Sequence, residues 1–142
     1  MNRAILDANI VIGGWFDNPK TPGKVISRLF LRHYQSITSE SMLAEIAKGW
    51  SNRYWSARLS PTSVHEAIGL FRSMSTVVEI AGSLKHVAPH RQDDHVLEAA
   101  VVGQCDYIVT GDKELLEMGE FGGIANILQD RYAAGLDPND SI

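Results

Sequence analysis

The run from Arg3 to Ile12 (RAILDANIVI) is apolar and rich in β-branched residues, interrupted by Asp7 and Asn9. It reads as a buried strand, at whose exit Asp7 and Asn9, two positions apart, share a face. GGWFDNPKTPG then reads as a loop, because Gly, Pro and Asn dominate it. From Gly23 to His33, Val25, Ile26, Leu29 and Phe30 recur at helical spacing with Lys24, Arg28 and Arg32 opposite, which predicts an amphipathic helix with a basic stripe. QSITS is a short strand whose last residue, Ser39, is a helix N-cap for the segment holding Met42, Leu43, Glu45, Ile46 and Ala47.

The stretch KGWSNRYWSARLS has no clear period. After it, Ser60 and Pro61 supply an N-cap and a first-turn proline for a helix ending near Met74. STVVEIAG is a strand and LKHVAPHRQ a loop. Asp93 and Asp94 open the helix DHVLEAAVVG, where acids suit the positive end of the helix dipole. DYIVT is a buried strand, GDKELLEMG starts a helix, and IANIL is a last short strand. Strands alternating with helices predict an α/β sandwich with a mostly parallel sheet. Ligands of such sheets bind beyond the carboxyl ends of the strands, where Asp7 and Asp112 are expected.

At 142 residues the chain is expected to form one domain over 1–142, with the polar tail 133–142 frayed. Hydrophobic residues make up 44% and charged residues 21%, close to globular averages, so neither a disordered nor a fibrous class is favoured. The lone Cys105 has no internal disulfide partner and suits a reducing, cytoplasmic setting. Neither a signal peptide nor a membrane span is expected, since no apolar run is long enough. The net charge of −4 is unevenly spread. Residues 1–60 carry eight Lys/Arg against four Asp/Glu (+4), and residues 61–142 carry five against thirteen (−8). That asymmetry allows a basic rim beside an acidic centre, as a phosphodiester substrate needs; solvated helix faces are the alternative.

Four acids stand at suggestive places: Asp7, Glu45, Asp94 and Asp112. Asp7 breaks an apolar strand, and a buried carboxylate is costly unless it is paired, capped or bound to metal. Asp112, in T-G-D, is either a ligand or the N-cap of KELLE. Asp94 is expected to face a pocket, with Asp93 outside it in a supporting place. Glu45 lies on a helix whose buried face holds Met42 and Ile46, and on its own surroundings it could face solvent. Carboxylates gathered together repel one another unless a cation neutralises them. Oxygen donors without His or Cys select Mg²⁺ or Mn²⁺, and such an ion can activate water against a phosphodiester. His33, His65, His86, His90 and His95 show no metal-site spacing and read as surface or loop residues.

In this order and context the acids form a pattern. LDANIVI resembles the opening of PIN domains, SESMLAEI resembles their Glu-bearing helix, and DDHVLEAAVVGQCDYIVTGDKELL is similar to their most diagnostic stretch. The resemblance spans about residues 1–128, and DYIVTGDKELL with PGKVISRLF is similar to the VapC-like toxins of type II toxin/antitoxin pairs. It implies a three-layer α/β/α sandwich and Mg²⁺- or Mn²⁺-dependent cleavage of single-stranded RNA. It also implies a homodimer and a cognate antitoxin that enters the acidic groove. By position it makes Asp7, Glu45, Asp94 and Asp112 metal ligands, with Asn9 and Thr110 orienting them or their water. Ala8 departs from the Thr or Ser common there, which removes a hydroxyl but no ligand.

Other readings stay open at this point. Haloacid-dehalogenase-type phosphatases also end a first strand with an acid, but they need a second Asp where this chain has Asn9. A stand-alone RNA-processing nuclease fits the same acids, as does a non-catalytic RNA- or partner-binding module. Trp50, Tyr54 and Trp55, with the basic residues from Lys20 to Arg58, either hold and stack a single strand or serve core packing or a dimer contact.

Overall fold

The computed structural model describes residues 1–16, 20–82 and 94–128, with side chains to residue 125. The expected loop 84–92, Asp93 and the tail 133–142 lie outside these residues.

β1 (Arg3–Leu6) is far shorter than the expected strand, and α1 (Ala8–Gly14) takes over its second half. An apolar run does not reveal its own period, so a strand and a buried helix look alike there. Asp7 is the hinge between them, and Asn9 therefore projects from a helix rather than from a strand. α2 (Thr21–Phe30) begins earlier than expected, with Pro22 in its first turn, and stops short of His33. β2 (Gln35–Ser39) and α3 (Glu40–Trp50) follow, and Ser39 Oγ accepts the Met42 amide at 3.2 Å, as its cap position predicts.

The unassigned aromatic-basic stretch contains one helical turn, α4 (Arg53–Ser56), capped by Asn52. α5 (Pro61–Ser73) is capped by Ser60, and β3 (Ser75–Val78) is half the expected STVVEIAG strand. α6 (Asp94–Val102), β4 (Tyr107–Thr110), α7 (Lys113–Glu117), β5 (Glu120–Phe121) and β6 (Ile124–Leu128) complete the described chain. β5 has no counterpart in the sequence reading. It pairs antiparallel with β6 across Gly122 and Gly123, whose φ angles of 57° and 82° suit the tight hairpin turn that glycine makes at little cost.

The sheet order is β3-β2-β1-β4-β6-β5, parallel throughout except for the β5–β6 hairpin. Ala4, Ile5 and Leu6 of β1 and every residue of β4 are buried. Successive strand residues point to opposite faces, so both faces of the central strands are covered, giving the three-layer α/β/α sandwich. From β1 the chain runs one way through β2 to β3, then returns through α6 to place β4 on β1's other side. The reversal opens a crevice at the carboxyl ends of β1 and β4, where ligands of such sheets bind.

The helices pack closely. A Cβ on Gly14 would collide with the Pro22 carbonyl, so α1 and α2 meet where only hydrogen fits. Trp50 is fully buried and donates its indole N–H to Ile12 O at 3.0 Å, which makes it a core residue. Trp55 is half-buried with its ring centroid 6.5 Å from that of Phe16, while Tyr54 is exposed beneath the Arg58 guanidinium. Cys105 is buried, and burial pushes its thiol up to about 12, leaving it an inert packing group at neutral pH.

Candidate active site

Asp7 follows the last residue of β1 and Thr110 ends β4. Leu6 is in register with Val109, and the Asp7 amide donates to Val109 O at 2.9 Å. The two strands thus carry Asp7 to the side of Thr110. Asp7 occupies the N-cap position of α1 but its carboxylate makes no capping bond. It instead accepts from Thr110 Oγ1 at 2.8 Å, and the same oxygen accepts the Asp112 amide at 3.0 Å. Thr110, wholly buried, uses its one hydroxyl to link the first acid to the last.

Two of the other acids bear on Asp7 electrostatically. Burial raises the Asp7 carboxyl above its ordinary value, the Thr110 bond opposes this, and the charges of Glu45 and Asp112 push it further up. Asp7, Glu45 and Asp112 therefore share one field although they come from three segments. Asp94 is also buried, at the start of α6. Asp93 lies outside the described residues.

Asp112 performs the capping role that was its alternative reading: Oδ1 accepts the Glu114 amide at 2.9 Å. The helix bonds to Asp112 all run to that one oxygen, Oδ1. Capping and ligation are compatible for a two-oxygen group. Glu45 does not simply face solvent. Its Oε2 lies 3.1 Å from His95 Nε2, which joins α3 to α6 beside the acids. His95 was expected at the surface or in a loop, but its side chain is only 22% exposed and its Nδ1 is buried without a hydrogen-bond partner. Its place next to Asp94 was the available signal. A helix opening against the acid pocket carries its second residue there too. Asn9 is exposed and lines the same cleft as Glu45 and His95.

A further buried acid, Glu98, is occupied elsewhere, accepting the Ala81 and Gly82 amides at 2.7 and 3.0 Å. It ties the chain beyond β3 to α6. Among the described residues no three His, Cys, Asp or Glu side chains are drawn close enough together to form a metal-binding shell. The donor chemistry nevertheless fits a hard divalent cation. Oxygen donors predominate, and a carboxyl raised by burial and by two like charges is the group whose ionised form a cation would most favour.

No helix among the described residues is long and apolar enough to cross a membrane. The family model for the PIN domain matches residues 3–114. No curated protein matches this chain. Among solved structures, the chain is similar to one in the crystal structure of VapBC2 from Rickettsia felis bound to a DNA fragment from their promoter. The TM-score is 0.59 at 14% identity, covering 89% of this chain and 98% of the other. At that identity the likeness is one of fold, and it extends over nearly the whole of both chains.

Proposed function

The chain belongs to the PIN-domain family, whose members are generally nucleases, and on that premise we propose that it is a metal-dependent endoribonuclease acting on single-stranded RNA. We further propose that it is the toxin of a type II toxin/antitoxin pair, cytoplasmic and homodimeric. One observation carries the enzymatic reading: Asp7 is buried at the crevice between β1 and β4 with the charges of Glu45 and Asp112 bearing on it. Self-repelling acids in a ligand-binding crevice oppose stability, which makes a charge-based task the economical explanation.

Asp7, Glu45, Asp94 and Asp112 would hold Mg²⁺ or Mn²⁺, directly or through water. Such an ion, when bound, supplies an activated water and stabilises charge on the phosphoryl oxygens. The chain's own contribution is positional. Thr110 sets the angle of the Asp7 carboxylate, the first turn of α7 anchors Asp112, and His95 holds Glu45. Hydrolysis is by in-line attack of water, without a covalent intermediate. The toxin reading is supported by the fold shared with a chain of a VapBC complex, and an antitoxin segment would compete with RNA for the acidic groove.

The direct test is cleavage of a fluorogenic single-stranded RNA by the whole protein, titrated with Mg²⁺ and with chelator. Cleavage that requires the cation is expected. Asp112→Asn should reduce it by at least about 100-fold, the scale on which a single charge-stabilising group acts. Turnover by Asp112→Asn at the wild-type rate would sink the mechanism. Asp94→Asn is expected to cost more activity than Asp93→Asn; the opposite ranking moves the ligand role to Asp93. Co-purification of a small DNA-binding protein encoded beside this one, with loss of activity in the complex, tests the toxin assignment. Its absence together with cation-dependent cleavage would favour a stand-alone nuclease.

A further inference from the structure

An open cleft of about 770 Å³ that includes Glu45 lies between α1, α3 and α6. Ile12 and Ala44 give it apolar surface, Glu45 and His95 contribute polar groups, and Asn9 and Lys48 also line it. Lys48 is one helical turn beyond Glu45, a spacing at which Glu and Lys side chains ordinarily pair. Here the Glu45 carboxylate turns to His95 instead, and Lys48 forms no ion pair among the described residues. The result is an exposed ammonium in a cleft shared with the Glu45 carboxylate, with carbon surface and an amide beside it.

That combination matches a nucleotide better than a peptide. A ribose and base offer apolar faces to Ile12 and Ala44 and hydrogen-bonding edges to Asn9, and a phosphate is the partner for a lone ammonium. We propose that this cleft seats the nucleotide adjoining the bond to be cut, with Lys48 binding that nucleotide's phosphate. The inference rests on the RNA-hydrolysing reading above.

The test uses the whole protein carrying Asp112→Asn, so that RNA stays intact, and a fluorescein-labelled single-stranded RNA hexamer read by anisotropy across a KCl series. Lys48→Met keeps the aliphatic stem and removes the charge; Lys48→Arg keeps the charge. Lys48→Met should weaken binding severalfold and flatten log Kd against log salt by about 0.7, the share of one phosphate contact on a single strand. Lys48→Arg should restore the slope. If Lys48→Met leaves affinity and slope unchanged while wild-type protein still cleaves RNA, the cleft assignment falls and the nuclease reading stands. If wild-type protein neither binds nor cleaves RNA in Mg²⁺, both fall. Lys48→Met altering capture of a protein partner while leaving RNA binding intact also overturns the assignment, in favour of a docking surface.

Discussion

Thr110 Oγ1 donates to Asp7 Oδ2 at 2.8 Å although 103 residues separate the two, and the pair spans the adjacent ends of β1 and β4. The bond favours the ionised carboxylate that burial and two neighbouring charges disfavour. Thr110→Val preserves shape and removes the hydroxyl. The loss of a buried bond to a charged group should destabilise the fold by about 1.5–3 kcal/mol in urea titrations. Because that bond lowers the Asp7 carboxyl, its loss should also displace the acidic limb of the RNA-cleavage pH profile to higher pH. Thr110→Ser should retain most of both properties; a Val variant with an unshifted limb would remove Thr110 from the site's electrostatics.

Asp7 itself makes stability depend on pH. Its folded-state carboxyl lies above the ordinary value, so the folded chain holds that proton more tightly than the unfolded chain does. The associated stability is present at low pH and is lost as pH rises from the unfolded value through the folded one. Asp7→Asn escapes that loss. It should be more stable than wild type near neutrality, by about 0.5–2 kcal/mol, with the gap closing on acidification. Denaturation midpoints at several pH values check this, and a gap that widens in acid would contradict it. Saturating Mn²⁺ should raise the wild-type melting temperature, by mass action on the folded state, and raise that of Asp7→Asn much less.

His95 is expected to act on cation binding through Glu45. His95→Gln places an amide donor near the position of Nε2, whereas His95→Phe fills the volume with no donor. Mn²⁺ affinity measured by calorimetry should fall in the Phe variant and recover substantially in the Gln variant. Equal affinities in the two would mean that the ring serves packing alone.

Gly14→Ala tests the junction of α1 with α2. The added methyl meets the Pro22 carbonyl, which is backbone and yields little. A loss of about 1–3 kcal/mol is expected, the usual scale of overpacking. Gly13→Ala, where nothing lies within 4 Å, is the control that should cost little or nothing.

The features legible in the sequence were those written locally. Ser39 and Ser60 announce α3 and α5 because a capping hydroxyl acts on an amide three residues on. The acids Asp7, Asp94 and Asp112 announce themselves by interrupting apolar runs or opening helices. The end of β1 was illegible, since ILDANIVI is apolar on either side of Asp7 and a fully buried element needs no alternation. The His95–Glu45 contact was equally hidden: each residue looks ordinary on its own helix, and their meeting depends on how α3 and α6 pack. The β5–β6 hairpin escaped notice because two-residue β5 is too short to show a pattern.

The strand order has a consequence for timing during synthesis. β4 joins the sheet beside β1, yet it is made after β2 and β3, so Asp7 gains its Thr110 partner only when residues beyond 110 have left the ribosome. An N-terminal fragment ending before β4 carries Asp7 and Glu45 but has neither the crevice nor Asp112. A nascent chain thus has no assembled acid centre until β4 and the first turn of α7 have been made.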